Sequence, residues 1–204
     1  MDTRELILKN ALHMFSKSGY SGVSIRDIAK TVHIKESSIY YHFKNKQDIL
    51  DSLIGEYEKQ IENMTSMLMN SMQSMNGESP FSLDWLNEYY FEQYLFTPFC
   101  NQMMRLLTIE QFHDERIGKL YEHYLFELPK RIQTGAFMML AKCGMVDEQQ
   151  AIKCGNDFFS NMTMLTFKYL LYGELTEEKK DVFCKEAMAY IRRTLRGELG
   201  CQIY

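Results

Sequence analysis

The chain has no long run of apolar residues. No stretch of its 204 residues approaches the roughly 18 uninterrupted apolar side chains that a membrane-spanning helix requires. The N-terminus, MDTRELILKN, carries acids and an arginine where a secretory signal peptide would have an apolar segment. We therefore expect a cytoplasmic protein without a membrane partner.

Cysteine is sparse and shows no pattern. The five cysteines, at positions 100, 143, 154, 184 and 201, are odd in number and include no C-x-x-C pair. A disulfide framework needs an even set, and structural zinc sites commonly use closely spaced pairs. We expect reduced structural thiols, and neither a metal nor a cofactor.

Proline is also rare, and strand-like alternation of apolar and polar residues is missing. The chain has three prolines, and its apolar residues recur at intervals of three and four instead of two. This period predicts an all-α fold. With 46% hydrophobic residues, the chain can bury a substantial core as one small domain and one larger one.

The most informative segment is 20–46, YSGVSIRDIAKTVHIKESSIYYHFKNK. Ser24 is a good N-cap for a short helix, and a second short helix over 36–43 follows a tight turn and buries Ile39 and Phe43. The remaining surface of the second helix offers hydroxyls, phenols and an imidazole. Such groups can reach base edges and phosphates in a major groove, so the segment predicts a helix-turn-helix. The alternative is an ordinary helical hairpin in which the aromatic residues are only core.

The pattern G-x-S-I-R-D-I-A-x-x-x-x-I-x-x-x-S-I-Y-Y-H-F-x-N-K in this segment resembles the DNA-binding domain of TetR-type transcriptional regulators. The resemblance covers roughly the first 50 residues. It implies a three-helix DNA-binding domain at 1–46, joined by a long helix to a helical effector-binding and dimerisation domain at 47–204. Position by position, it implies base or phosphate contact by Arg26, base reading by Lys35, Ser37, Ser38 and Tyr41, and phosphate contacts by Tyr40, His42 and Lys46.

One position departs from the family pattern. Lys35 stands where the family often has a serine or threonine that caps the recognition helix, so we expect that cap to be supplied elsewhere or to be missing. Glu36 beside it is acidic and would be repelled by the phosphates that border a groove.

Charge is divided along the chain in the way that a DNA-binding end requires. The whole chain has a formal net charge of −4, but residues 1–46 hold eight basic against four acidic residues, a net +4, which leaves −8 on the remainder. A basic end on an acidic body attracts DNA at the end that reads it.

Helix-start signals divide the rest of the chain. N-caps are predicted at Asp2, Asn45, Ser82, Thr97, Asp147 and Thr176. The helix after Asn45 is long, with an apolar stripe at spacings of four and three, and it fades into a loop over 70–80. Pro129 should kink or interrupt the helix that starts near His113.

Residues 81–144 are rich in aromatic side chains and methionine. A packed core explains such residues, and the alternative is a ligand pocket, which the family resemblance favours because TetR-type sensor domains usually enclose an effector. Glu92 shares a helical stripe with aromatic residues, which favours a small hydrophobic or aromatic effector, either cationic or neutral. The candidate ligand residues are Trp85, Tyr89, Glu92, Phe96, Met103, Tyr121 and Tyr124.

The last two predicted helices are amphipathic and can form either an intrachain core or a dimer seam. The resemblance favours the seam, since TetR-type proteins generally pair through their last two helices, and a two-fold dimer implies a palindromic operator. The candidate seam residues are Ile152, Phe159, Met162, Thr166, Phe183, Tyr190 and Ile191.

Three alternatives remain beside a homodimeric repressor that a small molecule releases from its double-stranded DNA operator. The fold could serve an activator or a partner that does not bind DNA. A metal enzyme is the third, because Glu110 and His113 have the Glu-x-x-His spacing of di-iron bundles. That site would need a second such pair and two more glutamates, so we expect neither a catalytic nor a metal site.

Overall fold

A computed structural model describes residues 2–73, 86–142, 144 and 146–197, without the side chains of 71–73, 86–89 and 195–197. These residues form helices and no strand, which confirms the all-α prediction. They fall into two compact units: the first is Met1–Glu62 with Thr97–Tyr121, and the second is Asn63–Phe96 with Glu122–Tyr204. These units are defined by contacts and not by function, so the predicted functional boundary at residue 46 stays a prediction.

The first unit contains the three short N-terminal helices and two later ones. Its helices are α1 (Thr3–Ser18), α2 (Ile25–Val32), α3 (Glu36–His42), the first part of α4 (Lys46–Gln73), α5 (Pro98–Glu110) and α6 (Glu115–Glu122) to Tyr121. Asp2 and Ser24 each form a reciprocal capping box, and the amide of Asp48 donates to Asn45, as the sequence predicts. Lys35 stands at the N-cap of α3 without a side-chain cap.

The core of the first unit draws on every one of these helices. The predicted stripe of α4 is confirmed, because Leu50, Ile54, Tyr57 and Ile61 are all buried. Burial of one such aliphatic or aromatic side chain stabilises a fold by about 1.5–3 kcal/mol. Other large buried side chains of this unit include Ile7, Leu12, Phe15, Ile28, Ile39, Phe43, Ile49 and Leu53, with Leu106 and Leu107 on α5 and Ile117 on α6.

The second unit mixes α-helices with wider π-helical segments. It holds the end of α4 from Asn63, π1 (Leu86–Leu95), π2 (His123–Glu127), α7 (Leu128–Lys142), α8 (Glu148–Leu165), π3 (Thr166–Leu170) and α9 (Glu177–Gly197). Helix α7 packs along α8, and a Cβ at Gly155 would lie 2.8 Å from the Cα of Thr134. Only glycine allows this approach.

Pro129 lies inside a continuous run of helical residues, and the kink that the sequence predicts there stays a prediction. It is the second residue of α7, and the turn before it widens, so that the amide of Leu128 donates to the carbonyl of His123. Proline has no N–H to donate in a helix, and the change from α- to π-helical bonding lies directly before Pro129. The predicted cap at Ser82 lies outside the described residues.

None of the helices in the described ranges has both the length and the apolar character needed to cross a membrane.

Gly19 and Gly55 provide a matched test of the turn that ends α1. Gly19 has φ +73°, and a Cβ there would lie 2.5 Å from Oε1 of Glu110. We expect Gly19→Ala to lower the free energy of unfolding by about 1–3 kcal/mol. Gly55 lies inside α4 with nothing near its Cβ position, so Gly55→Ala should raise it by about 0.5–1 kcal/mol. Urea denaturation measures both free energies of unfolding. An unchanged value for Gly19→Ala would contradict the positive φ and the close approach to Glu110 at this turn.

Candidate nucleic-acid interface

Helix α3 presents a polar surface on a buried anchor. Ile39 is fully buried, and Phe43 just after the helix is 2% exposed, so the opposite side faces outward. Tyr41 is 86% exposed and Tyr40 is 55% exposed. His42 is half-buried with its ring edge-on to Tyr41, the centroids 5.1 Å apart. Ser37 is exposed and Ser38 half-exposed, so this surface has the shape and donors that the sequence leads us to expect.

A weak ion pair borders this surface. Nε of Arg26 at the start of α2 lies 4.0 Å from Oε1 of Glu36 at the start of α3, and both side chains are largely exposed. Exposed pairs of this kind contribute about 0–1 kcal/mol, so Arg26 can leave Glu36 for a phosphate at little cost. Lys35 beside them is also exposed.

Lys46 has a structural role that the sequence did not predict. Its ammonium donates to the carbonyl oxygens of Tyr20 at 2.9 Å and Val23 at 2.8 Å, and it lies 4.2 Å from the centroid of the Tyr20 ring. Helix α4 is therefore fastened to the loop between α1 and α2. An ammonium has three donors, so the phosphate contact by Lys46 stays a prediction.

Tyr20 is the centre of this loop. Its amide donates to Oε1 of Glu110 at 2.8 Å, its hydroxyl donates to Oε1 of Gln47 at 3.2 Å, and its ring packs edge-on against Phe15 at 5.4 Å. Burial, with a further contribution from the negative charge of Asp51, raises the pKa of the Tyr20 hydroxyl. The phenol is therefore held neutral, as the hydrogen bond to Gln47 requires.

The hydrogen bonds continue from Tyr20 to α6. Nε2 of Gln47 donates to Oδ1 of Asp51 at 3.0 Å, and the Arg116 guanidinium donates to the same oxygen at 2.8 Å. Burial opposes ionisation of Asp51, but the hydrogen bonds from Gln47 and Arg116 outweigh it and lower the pKa of this carboxyl. The carboxylate thus stays charged and ties α4 to α6.

The Glu110 carboxylate binds this loop, which gives one half of the Glu-x-x-His spacing a structural role. Glu110 is 4% exposed and accepts from the Tyr20 amide, while His113 is exposed in the turn after α5. The two side chains do not share a helical face as a ligand pair would. Among the described residues, no group of three histidine, cysteine or acidic side chains is placed to hold a metal.

The predicted ligand residues are not brought together within one unit. Met103 and Tyr121 belong to the first unit, while Phe96 and Tyr124 belong to the second. Glu92 is exposed on π1, which corrects its expected place among buried aromatic residues. The wider turn of a π-helix changes which residues share a face, so the α-helical stripe does not apply there. Trp85 and the side chain of Tyr89 lie outside the described part.

Three of the predicted seam residues are core residues of the single chain. Met162, Phe183 and Ile191 are at most 3% exposed, and Phe183 packs against Phe91 and Phe96 with ring centroids 5.2 and 5.5 Å apart. Their assignment to a dimer seam is therefore wrong. Ile152, Phe159, Thr166 and Tyr190 are exposed or half-exposed and stay candidates.

The N-terminal part of the chain matches a known family. Residues 7–53 match the family described as "Bacterial regulatory proteins, tetR family". The chain is 36% identical to the biofilm operon icaADBC HTH-type negative transcriptional regulator IcaR of Staphylococcus aureus strain Newman over 89 residues. It is 34% identical to the IcaR of Staphylococcus epidermidis over 89 residues. Each match spans 44% of this chain and 44% of the relative, less than half of either length.

Solved structures share the fold over nearly the whole chain. A TetR-family transcriptional regulator from Marinobacter aquaeolei has a TM-score of 0.58 at 20% identity, over 93% of this chain and 99% of its own. A transcriptional regulator from Saccharomonospora viridis, in complex with choline, has a TM-score of 0.64 at 19% identity, over 93% and 95%. At these identities the likeness shows the fold alone.

Lys46 and Lys44 allow a test of the brace at the α1–α2 loop. Lys46→Met removes two charged hydrogen bonds to the carbonyls of Tyr20 and Val23 and should lower the free energy of unfolding by about 2–3 kcal/mol. Lys44→Met, at an exposed position two residues away, should change it by less than about 0.5 kcal/mol. Urea denaturation distinguishes them, and equal stabilities would show that the brace contributes nothing.

Proposed function

We propose that this chain is a TetR-type regulator that represses transcription by binding an operator in double-stranded DNA. The observation that carries the proposal is the outward surface of α3, an exposed set of hydroxyl and phenol groups on a rigidly held helix. A buried hairpin would not leave Tyr41 86% exposed. A DNA-binding regulator of this kind works in the cytoplasm.

The proposed division of roles follows the position of each side chain. Base edges are read by the residues at the start and middle of α3: Lys35, Ser37, Ser38 and Tyr41. Phosphates are held by Arg26, Tyr40, His42 and the remaining N–H of Lys46. Phosphate contacts fix the register of the helix and base contacts supply the sequence preference. The net +4 on residues 1–46 supports this orientation.

The descriptions of the relatives support repression rather than activation. IcaR is described as a negative transcriptional regulator, and it is 36% identical to this chain over 89 residues. An activator with the same fold is the second candidate, and a reporter gene placed behind the operator would separate the two by the direction of its change.

A small-molecule effector and a homodimer complete the proposal. Effector binding would favour a conformation of the second unit that holds two recognition helices at the wrong spacing for a palindromic operator. A ten- to hundredfold loss of DNA affinity requires only about 1.4–3 kcal/mol of differential binding. The related fold from Saccharomonospora viridis is in complex with the cation choline. Glu92 is exposed in this chain, so it does not support a cationic ligand here.

Tyr41 and Tyr172 form a matched pair for the DNA-binding test. Both are exposed tyrosines, at 86% on α3 and 78% after π3. We expect Tyr41→Ala to weaken specific DNA binding by about tenfold or more, while Tyr172→Ala leaves it unchanged. Fluorescence anisotropy on DNA flanking the protein's own gene, against scrambled DNA at fixed salt, measures this. Equal, weak binding of the wild type to both DNAs would count against the regulator proposal at that site.

Phe159 tests the proposed dimer seam on α8. Phe159 is half-exposed on α8, which also carries Ile152 and Met164 at 43% and 49% exposure. Phe159→Asp should give monomers that lose operator affinity, because a charge cannot be buried in an apolar seam. Phe112→Asp, at an 84% exposed position after α5, is the control and should remain dimeric. Sedimentation velocity reports the state, and a Phe159→Asp dimer would move the interface elsewhere.

A further inference from the structure

The second unit leaves buried polar atoms without partners. Among the described residues, the buried side-chain atoms that lack a hydrogen bond are Thr65 Oγ1, Gln133 Oε1, Thr134 Oγ1 and Asn161 Oδ1. All four belong to the second unit. In the first unit, by contrast, the buried Glu110 carboxylate accepts from the Tyr20 amide. Folded proteins rarely leave buried polar groups unpaired, so such a set indicates that another molecule supplies the missing bonds.

Gln133 is the most deeply placed of these residues. It is 4% exposed on α7, and its Nε2 donates to the hydroxyl oxygen of Tyr90 on π1 at 3.0 Å. In this orientation Oε1 of Gln133 has no donor within hydrogen-bonding distance. The pair therefore retains an acceptor that the described residues do not use.

The surroundings of this pair are aromatic. The Tyr90 ring lies 5.8 Å from Tyr94 and 6.0 Å from Phe91, between ring centroids. Phe91 in turn packs against Phe96 at 6.0 Å and Phe183 at 5.2 Å. An aromatic wall with one polar end is typical of small-molecule sites.

The charge of the ligand follows from what is buried there. In the described part of the second unit, the buried polar residues are Gln133 and Thr194, and neither carries a charge. Burial raises the pKa of Tyr90 to about 12, so its phenol is neutral at physiological pH. An ion brought into these surroundings would lose its hydration without gaining a counter-charge. An uncharged ligand avoids that cost.

The π-helical segments lie in the same unit as these residues. Within the described chain, π1, π2 and π3 all belong to the second unit, and Tyr90 lies on π1. Helix α7, which carries Gln133, starts directly after π2. Segments of π-helix are rare and occur frequently at functional sites.

We propose that Tyr90 and Gln133 form the polar end of a ligand site that takes an uncharged molecule with an aromatic or apolar body and one amide-like group. The amide-like group would both donate to and accept from the pair. The identification of this ligand as the effector depends on the proposed regulatory function, whereas its binding does not. The site replaces Glu92 and a cationic ligand as the expected recognition chemistry.

Three isosteric probes test the charge rule on the full-length protein. Benzamide is neutral, benzamidinium is a cation and benzoate is an anion, all with the same ring. Isothermal titration calorimetry and thermal shift should show millimolar or tighter binding of benzamide, with benzamidinium and benzoate bound at least about tenfold more weakly. Tighter binding of benzamidinium or benzoate than of benzamide would overturn the proposal. Absence of benzamide binding would overturn it too, and water would then be the partner of Gln133.

Variants show whether the pair itself binds the probe. Gln133→Met and Tyr90→Phe should each weaken benzamide binding by about tenfold, and each should also lower the melting temperature, because the partner left behind loses its 3.0 Å hydrogen bond. Gln93→Met, on the exposed side of π1, is the matched control and should bind as the wild type does. Unchanged binding by both Gln133→Met and Tyr90→Phe would remove the assignment.

The same preparation distinguishes this inference from the proposed function. Anisotropy with DNA is measured on the wild type beside the benzamide titration. DNA binding without benzamide binding would overturn the ligand site alone, and benzamide binding without DNA binding would count only against the regulator.

Discussion

Three helices hold the loop between α1 and α2, which leads into the helix-turn-helix. Tyr20 contacts Phe15 of α1 through its ring, Lys46 and Gln47 of α4 through its carbonyl and hydroxyl, and Glu110 of α5 through its amide. Hydrogen bonds to charged groups contribute about 1.5–3 kcal/mol each, so two of these bonds are among the strong ones. Base reading requires such rigidity, because a hydrogen bond fails if its donor is displaced by an ångström.

The two units handle buried polar groups in opposite ways. In the first, the buried Glu110 carboxylate accepts from the Tyr20 amide and the buried Ser16 hydroxyl donates to the carbonyl of His13. In the second, Gln133 and Asn161 retain unpaired atoms, and the helices widen into π turns. Each unpaired buried group costs about 1–3 kcal/mol, which a protein retains where a ligand supplies the missing bond. This contrast fits a DNA-binding unit whose buried polar groups are already paired and a second unit in which a ligand would supply missing hydrogen bonds.

Local signals in the sequence were sufficient to place most helices. The N-caps at Asp2, Ser24 and Asp147 were predictable because capping depends on residues three apart. The stripe of α4 was predictable for a similar reason, since its buried residues are large and regularly spaced. The outward face of α3 followed from the burial of Ile39 and Phe43.

Contacts between distant residues and breaks in helical period were not predictable. Glu110 and Tyr20 are 90 residues apart, and nothing near either residue indicates the bond between them. On α8 the buried stripe runs through Ala151, Cys154, Gly155 and Phe158, one residue before the predicted Ile152 and Phe159. Small side chains such as Gly155 pack α8 against α7 on the buried face. The large apolar side chains from which the sequence predicts a buried face lie one position further along and are exposed or half-exposed. On π1 the α-helical spacing does not apply, so the sequence pattern placed Glu92 among the buried aromatic residues although it is exposed.

The energy of the unpaired groups also limits how a ligand could act on DNA binding. A ligand shifts a conformational equilibrium only by the difference between its affinities for the two states. A bond to Gln133 that formed equally well in both would stabilise the protein without releasing DNA. Release therefore requires that the geometry of Tyr90 and Gln133 differ between the DNA-binding and DNA-free conformations. Tyr90 lies on a π-helix, whose change to an α-helix rotates every side chain that follows. Such a change of register would make or break the 3.0 Å bond with Gln133 and so give the two conformations different ligand affinities.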